Sequence, residues 1–162
     1  MSDLKSQTAC FTGHRELYHN PTEIYQATKA IVQSLIDKGY CFFYFGGARG
    51  YDALAAQVVL ELKTVYPQIA LTLILPFQNQ YEHEAAWSEE EIAEYHDLQA
   101  KASNVIILSE HYSRGIYFQR NRRLVDASSV CIAYLVKPTG GTAYTVKYAS
   151  KQGLQVVNCM PK

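Results

Sequence analysis

Short apolar runs without polar alternation recur along this chain, and each is followed by a stretch of helical periodicity or a loop. Thr8–Phe11, Cys41–Phe45, Ile69–Leu75, Val105–Leu108, Val130–Val136 and Leu154–Cys159 all have strand length. A strand that is apolar at successive positions cannot leave one face in water, so both faces of its sheet must be covered. Amphipathic segments between the runs supply that cover. The pattern predicts an α/β fold: a Rossmann-like, doubly wound, mostly parallel sheet with helices on both faces. At 162 residues the chain is expected to form one such domain, residues 1–162.

The punctuation agrees. Asn20-Pro21-Thr22-Glu23 offers an N-cap, a proline for the first turn and a glutamate three residues after the cap. The helix it opens places Ile24, Ala27, Ile31 and Leu35 on one face and stops at Gly39. Ser88 with Glu91 is a capping box for a helix to about Ala102, an arginine-rich helix spans residues 117–128, and Thr142 is expected to cap the last one.

Charge and cysteine usage narrow the function classes. Formal net charge is zero, which argues against a general nucleic-acid binder, and nucleic acid is not the expected partner. Cys10, Cys41, Cys131 and Cys159 lack paired spacing and sit in or beside apolar runs, as reduced buried thiols do. Neither a metal nor a resident cofactor is indicated. The start of the chain has no apolar signal core, and no segment reaches the ~18 apolar residues of a membrane span. A cytoplasmic protein without membrane contact is expected.

In a doubly wound sheet, ligands sit outside the carboxyl ends of the strands. The loops there are Thr12-Gly13-His14-Arg15, then Gly46-Gly47-Ala48-Arg49-Gly50-Tyr51-Asp52, Pro76-Phe77-Gln78, the segment from Arg114 to Gln119-Arg120-Asn121-Arg122-Arg123, and Thr139-Gly140-Gly141-Thr142. All six arginines fall in these segments, whereas most lysines lie on helix surfaces or near the termini. Arginine is the side chain suited to bidentate phosphate recognition. Arg15, Arg49, Arg120 and Arg122 are assigned to a site; Arg114 and Arg123 are read as local partners. The two glycine pairs, each before a helix, have the design of anion cradles. His14 either touches the ligand or anchors its own loop. Asp52 either accepts from a ribose hydroxyl or, the favoured reading, caps its helix. Phe77, Tyr51 and Tyr117 are the candidates to stack on a base.

Familiar signatures are missing: GxGxxG, GxxxxGK[ST], a nucleophile elbow, and the second histidine that His83-Glu84 would need for HExxH. The ordered set TGHR, FGGARGYDALAA, LPF, QRNRRLVDAS and GGTAYTVKYA instead resembles the SLOG superfamily, specifically its YpsA-like branch, over nearly the whole chain. That resemblance implies a Rossmann-like domain that senses or processes nucleotide-derived ligands such as ADP-ribose or NAD. It puts Gly13, Arg15, Gly46, Gly47, Arg49, Arg120, Asn121, Gly140, Gly141 and Thr142 on the pocket motifs, with His14, Gly50, Asp52, Phe77 and Arg122 beside them. Two relatives define the alternatives. LOG-type phosphoribohydrolases cleave a base from a nucleoside monophosphate and carry PGGxGTxxE. The segment from Thr139 keeps the two glycines but lacks that motif's proline and glutamate. Glycosidic cleavage needs a carboxylate, and Asp52, Glu110 and Asp126 are the substitutes the sequence offers. The other relative, DprA, binds single-stranded DNA, a role that calls for a long basic track. The expected function is therefore binding of a phosphate-bearing nucleotide ligand as a sensor. An N-glycosidic hydrolase is the alternative, and a nucleic-acid or protein module comes third. Related folds make a homodimer an expectation as well.

Overall fold

The computed structural model describes residues 4–161. The six apolar runs become β1 (Thr8–Gly13), β2 (Phe42–Phe45), β3 (Ala70–Phe77), β4 (Asn104–Ser109), β5 (Val130–Tyr134) and β6 (Gln155–Asn158). They form one sheet in the order β4-β3-β2-β1-β5-β6, and every neighbouring pair is parallel. Between them run α1 (Pro21–Asp37), α2 (Tyr51–Lys63), α3 (Glu89–Lys101), α4 (Ile116–Asp126) and α5 (Gly141–Lys151). The architecture is the α/β Rossmann-like fold that unalternated strands require.

Helices lie on both faces. Phe11, Phe43, Phe45, Leu71 and Leu73 meet Ile24, Val32, Val58, Val59 and Leu98 in the core beneath α1, α2 and α3. Cys10, Ile74 and Cys131 meet Leu124, Val125 and Ala149 beneath α4 and α5. Each Val, Leu, Ile or Phe side chain among these contributes about 1.5–3 kcal/mol when fully buried. Cys10, Cys131 and Cys159 are buried, and all four cysteines are free thiols.

The helix starts follow local chemistry. Asn20 accepts from the Thr22 N–H at 2.8 Å, with Pro21 in the first turn. Ser88 and Glu91 make both bonds of the capping box. Three expectations change. The buried stripe of α1 is Ile24, Thr28, Val32, Leu35 and Ile36, with Ala27 and Ile31 half-buried beside it. Thr28 is tolerated inside because its hydroxyl pairs with that of Tyr51 at 2.9 Å. Thr142 does not cap α5, since Gly140 holds the cap position and Thr142 lies in the first turn, buried. Asp52 does not cap α2 either: Gly50 is the N-cap residue and accepts no help from a side chain.

Candidate functional site

The strand order reverses between β1 and β5. Gly13 and Tyr134 are register partners at the carboxyl ends of these strands. Their loops part there, and such a switch point opens a crevice. A cavity of about 480 Å³ occupies it. One wall is Thr12, Gly13, His14 and Arg15 at the end of β1; another is Thr139, Gly140, Gly141 and Thr142 at the start of α5. Tyr117, Phe118, Arg120 and Asn121 of α4 close a third side, and Asp52 and Glu84 complete it.

Gly140 and Gly141 face open space: a Cβ built on either meets no atom within 4 Å. Gly140 has φ +99°, which disfavours a side chain. The free N–H groups that begin α5 carry the positive end of its dipole into the cavity. This loop has the geometry of an anion cradle.

The loop after β2 does not. The Asp52 Oδ2 accepts from Gly46 N at 3.2 Å and Ala48 N at 3.3 Å, and His14 O accepts from Tyr51 N at 3.1 Å. The Asp52 carboxylate thus occupies the place of an incoming anion. Gly46 is packed against Arg120, whose Nη1 donates to the Gly46 carbonyl, while Gln80 Nε2 donates to the Gly47 carbonyl at 2.9 Å. Gly50 has φ +81°, and a Cβ there would run into the backbone of Arg15. These glycines serve close packing, not access to the cavity.

The charges sort differently from their spacing in sequence. Arg120 is buried, 5% exposed, with Nε donating to Asn121 Oδ1 at 2.8 Å. Burial lowers its pKa, and the nearby Asp52 opposes that shift. Burial raises the Asp52 pKa, against the pull of Arg120 and two backbone donors, and its Oδ1 is buried without a partner. Arg15 pairs with Glu84 at 3.0 Å. Arg15 and Arg120 both lie over the Tyr117 ring, at 5.7 and 5.6 Å. Burial, with Glu84 adding to it, pushes the Tyr117 hydroxyl up to about 12. Arg49 lies outside the cavity. Its guanidinium reaches Glu16 at 2.6 Å and Glu91 at 3.5 Å. Those carboxylates outweigh the cost of burial and raise its pKa.

His14 lines the cavity and anchors a loop at once. Its Nε2 accepts from Val136 N at 2.9 Å and Lys137 N at 3.0 Å, which requires a neutral ring protonated on Nδ1. Burial lowers its pKa and Lys137 adds to the shift.

Of the residues singled out from sequence, Gly13, His14, Arg15, Asp52, Arg120, Asn121, Gly140, Gly141 and Thr142 converge on the cavity. Gly46, Gly47, Arg49, Gly50, Phe77 and Arg122 are not among its lining residues, and Arg122 is exposed on α4. Phe77 is buried, edge-on to His83, Tyr112 and Tyr117. Tyr51 is fully buried and stacks on Tyr134, so only Tyr117 of the three proposed stacking residues reaches the cavity. The sequence reading missed Glu84, Phe118, Glu16 and Tyr18. Glu110 and Asp126 do not line the cavity, and Asp126 accepts from the Tyr148 hydroxyl at 2.7 Å.

A profile of the YspA SLOG family matches residues 11–157, a span that contains both glycine loops and every wall of the cavity. The chain belongs to that family. Among its curated SLOG relatives, a UPF0398 protein of Halalkalibacterium halodurans is 31% identical over 143 residues, covering 85% of this chain and 74% of the relative. A UPF0398 protein of Bacillus thuringiensis is 26% identical over 133 residues, covering 80% and 71%. Two solved structures share the fold. DNA processing protein A (DprA) of Streptococcus pneumoniae gives a TM-score of 0.66 at 16% identity. DNA processing protein A of Helicobacter pylori, described for its single-stranded DNA binding mode, gives 0.67 at 18%. Each comparison covers 94% of this chain, but only 50% and 65% of the DprA chains. Among the described residues no His, Cys, Asp and Glu cluster could hold a metal ion, and no helix is long and apolar enough to cross a membrane.

Proposed function

We propose that this SLOG domain binds a phosphate-bearing, nucleotide-derived ligand of the ADP-ribose, NAD or nucleoside monophosphate class, as a sensor or regulatory module. The observation that carries the reading is the open Gly140-Gly141 start of α5, which faces a cavity of about 480 Å³ also lined by Arg15 and Arg120. The α5 N–H groups would take the phosphate. Arg15, whose side chain is 40% exposed in its pair with Glu84, would turn part of its fork to the phosphate. The unpartnered Asp52 Oδ1 suits a sugar hydroxyl, a donor that would satisfy a buried acceptor.

A second reading has one observation in its favour: Glu16, Asp52 and Glu84 bring three carboxylates to the cavity. Asp52, held partly toward its protonated form by burial, is the group suited to give a proton to a departing base. On that reading the domain hydrolyses an N-glycosidic bond despite lacking the LOG glutamate. A third reading, single-stranded DNA binding, takes its support from the Helicobacter pylori neighbour and its single-stranded DNA binding mode. Zero net charge weighs against it.

A thermal-shift panel with ADP-ribose, NAD, AMP, ADP and short single-stranded DNA, with mass analysis of each stabilising ligand, separates the three. A ligand at a hundred times its dissociation constant adds about 2.7 kcal/mol. An intact nucleotide supports the sensor and a released base supports the hydrolase. Stabilisation by DNA alone supports the third reading, and no shift at all sinks the proposal.

A further inference from the structure

Phe118 combines two properties that only Tyr18 shares among the described aromatic residues of the cavity. It lines the cavity, and it is 46% exposed on a helix whose neighbouring exposed residues are polar. The buried positions of α4 are Ile116, Arg120, Leu124 and Val125. Phe118 stands about 200° around the helix from Ile116 and about 20° from Val125. Unlike Val125 it stays exposed and lines the cavity. Its aromatic neighbour among the described residues is Tyr144 of α5, at 4.6 Å and 68°. That contact ties the ring to the helix whose N-terminus forms the anion cradle.

The competing rings are committed. Tyr51 is fully buried on Tyr134, and Phe77 is enclosed by three edge contacts. Tyr117 has Arg15 and Arg120 over its ring. Tyr18 lines the cavity and is 44% exposed, but Lys137 sits over its ring at 4.9 Å and His14 meets it edge-on.

We infer that Phe118 is the platform on which the base of the bound nucleotide stacks, with Tyr144 as a positioning residue behind it. The inference rests on the nucleotide reading above and adds to it the residue that distinguishes a nucleotide from a bare sugar phosphate. Stacking accepts any base, because every base presents a π face, and it favours the larger purines. A nucleobase could reach the ring from a free mononucleotide or from a DNA strand, and the free nucleotide is the source assigned here, because phosphate cradle and ring line one cavity and the chain carries no net positive charge.

The test is isothermal titration of the parent chain, Phe118→Ala and Phe118→Tyr with AMP, GMP, CMP, UMP, ADP-ribose, NAD, ribose 5-phosphate and unphosphorylated oligothymidylate. For the tightest mononucleotide, Phe118→Ala is expected to lose roughly 5- to 150-fold in affinity, the scale of one base–aromatic stack. Ribose 5-phosphate should bind the parent and Phe118→Ala alike, and Phe118→Tyr should keep the parental affinity. Equal binding of the mononucleotide by parent and Phe118→Ala overturns the platform while the phosphate reading stands. So does an equal loss for ribose 5-phosphate, which would signal a disturbed cavity. A larger loss on oligothymidylate than on every mononucleotide overturns the free-nucleotide assignment. Failure of the parent chain to bind any of the sugar phosphates overturns the underlying reading itself.

Discussion

Asp52 and Arg120 hold Gly46 from its two ends: the Asp52 Oδ2 accepts from the Gly46 N–H at 3.2 Å, while Arg120 Nη1 donates to the Gly46 carbonyl. Two buried, oppositely charged side chains from α2 and α4 thereby fix one residue at the end of β2. Charges removed from water need partners, and here the backbone of the glycine loop supplies them. The loop is a strut that aims Arg120 and Asp52 at the cavity from behind, and the open cradle lies across the crevice at α5.

Gly46→Ala tests the strut. A Cβ there would lie 2.7 Å from Arg120 Nη1, closer than real contacts allow, and Arg120 is too enclosed to step aside freely. The expected cost is about 1–3 kcal/mol of stability in urea unfolding, the usual range for overpacking. A variant as stable as its parent would mean the guanidinium can move without loss.

Asp52→Asn should reveal the price of burying a carboxylate. Burial raises the Asp52 pKa above its ordinary 3.8, so the native state holds the proton more tightly than the unfolded chain. The resulting stabilisation is fully present below about 3.8 and is lost as pH rises through the native value. Asparagine cannot titrate and keeps an oxygen for Gly46 and Ala48. The parent's stability relative to Asp52→Asn should therefore fall as pH is raised from about 4, measured by denaturant melts across pH. A pH-independent difference would show that Asp52 titrates normally.

His14 should titrate with the opposite sign. Its Nε2 accepts two backbone N–H groups, so protonation breaks both bonds, and its pKa lies below the ordinary 6.5. Its contribution is present above about pH 6.5 and is lost as pH falls through the native value. In thermal melts, the stability advantage of the parent over His14→Phe should shrink between neutral and mildly acidic pH. An advantage unchanged by acid would contradict the assigned role of Nε2.

The sheet was legible because burial on both faces writes itself as unbroken apolar runs, Val130 to Tyr134 most plainly. The start of α3 was legible because Ser88 and Glu91, three residues apart, bond to each other's backbone. Asp52 was not: a carboxylate two residues past Gly50 reads alike whether it caps the helix ahead or ties the loop behind. Arg15 and Arg49 both follow glycine loops, and only the distant Glu16, Glu91 and Glu84 decide which one reaches the cavity. Glu84 reaches it from the turn-rich segment after β3, whose path no periodicity encodes. Phe118 carried no periodic signal, since it shares a face of α4 with the buried Val125.

Arg15 and Arg49 should separate binding from stability. Arg15→Ala is expected to weaken a phosphate ligand such as ADP-ribose by about 1.5–3 kcal/mol, the scale of a charged hydrogen bond. Arg49→Ala removes contacts to Glu16, which lines the cavity, and to Glu91, which does not. It is expected to lower stability by about 1–2 kcal/mol while changing ligand affinity far less. Titration and urea unfolding of both variants check the split, and a large binding loss in Arg49→Ala would return that residue to the site.

Gly141→Ala should harm the site without harming the fold. Gly141 is the first residue of α5, does not carry positive φ, and has open space where a Cβ would stand. Alanine suits a helix better than glycine, so stability should be unchanged or rise by about 0.5–1 kcal/mol. The added methyl nevertheless projects from the exposed start of α5, where a phosphate would approach the N–H groups. Binding of the same ligand should fall at least ten-fold, while urea unfolding shows no loss. Gly140→Ala makes the contrast, because φ +99° forces strain of about 1–2 kcal/mol on any side chain there. A Gly141→Ala protein that binds like its parent would move the anion away from α5 and remove the observation on which the proposed function stands.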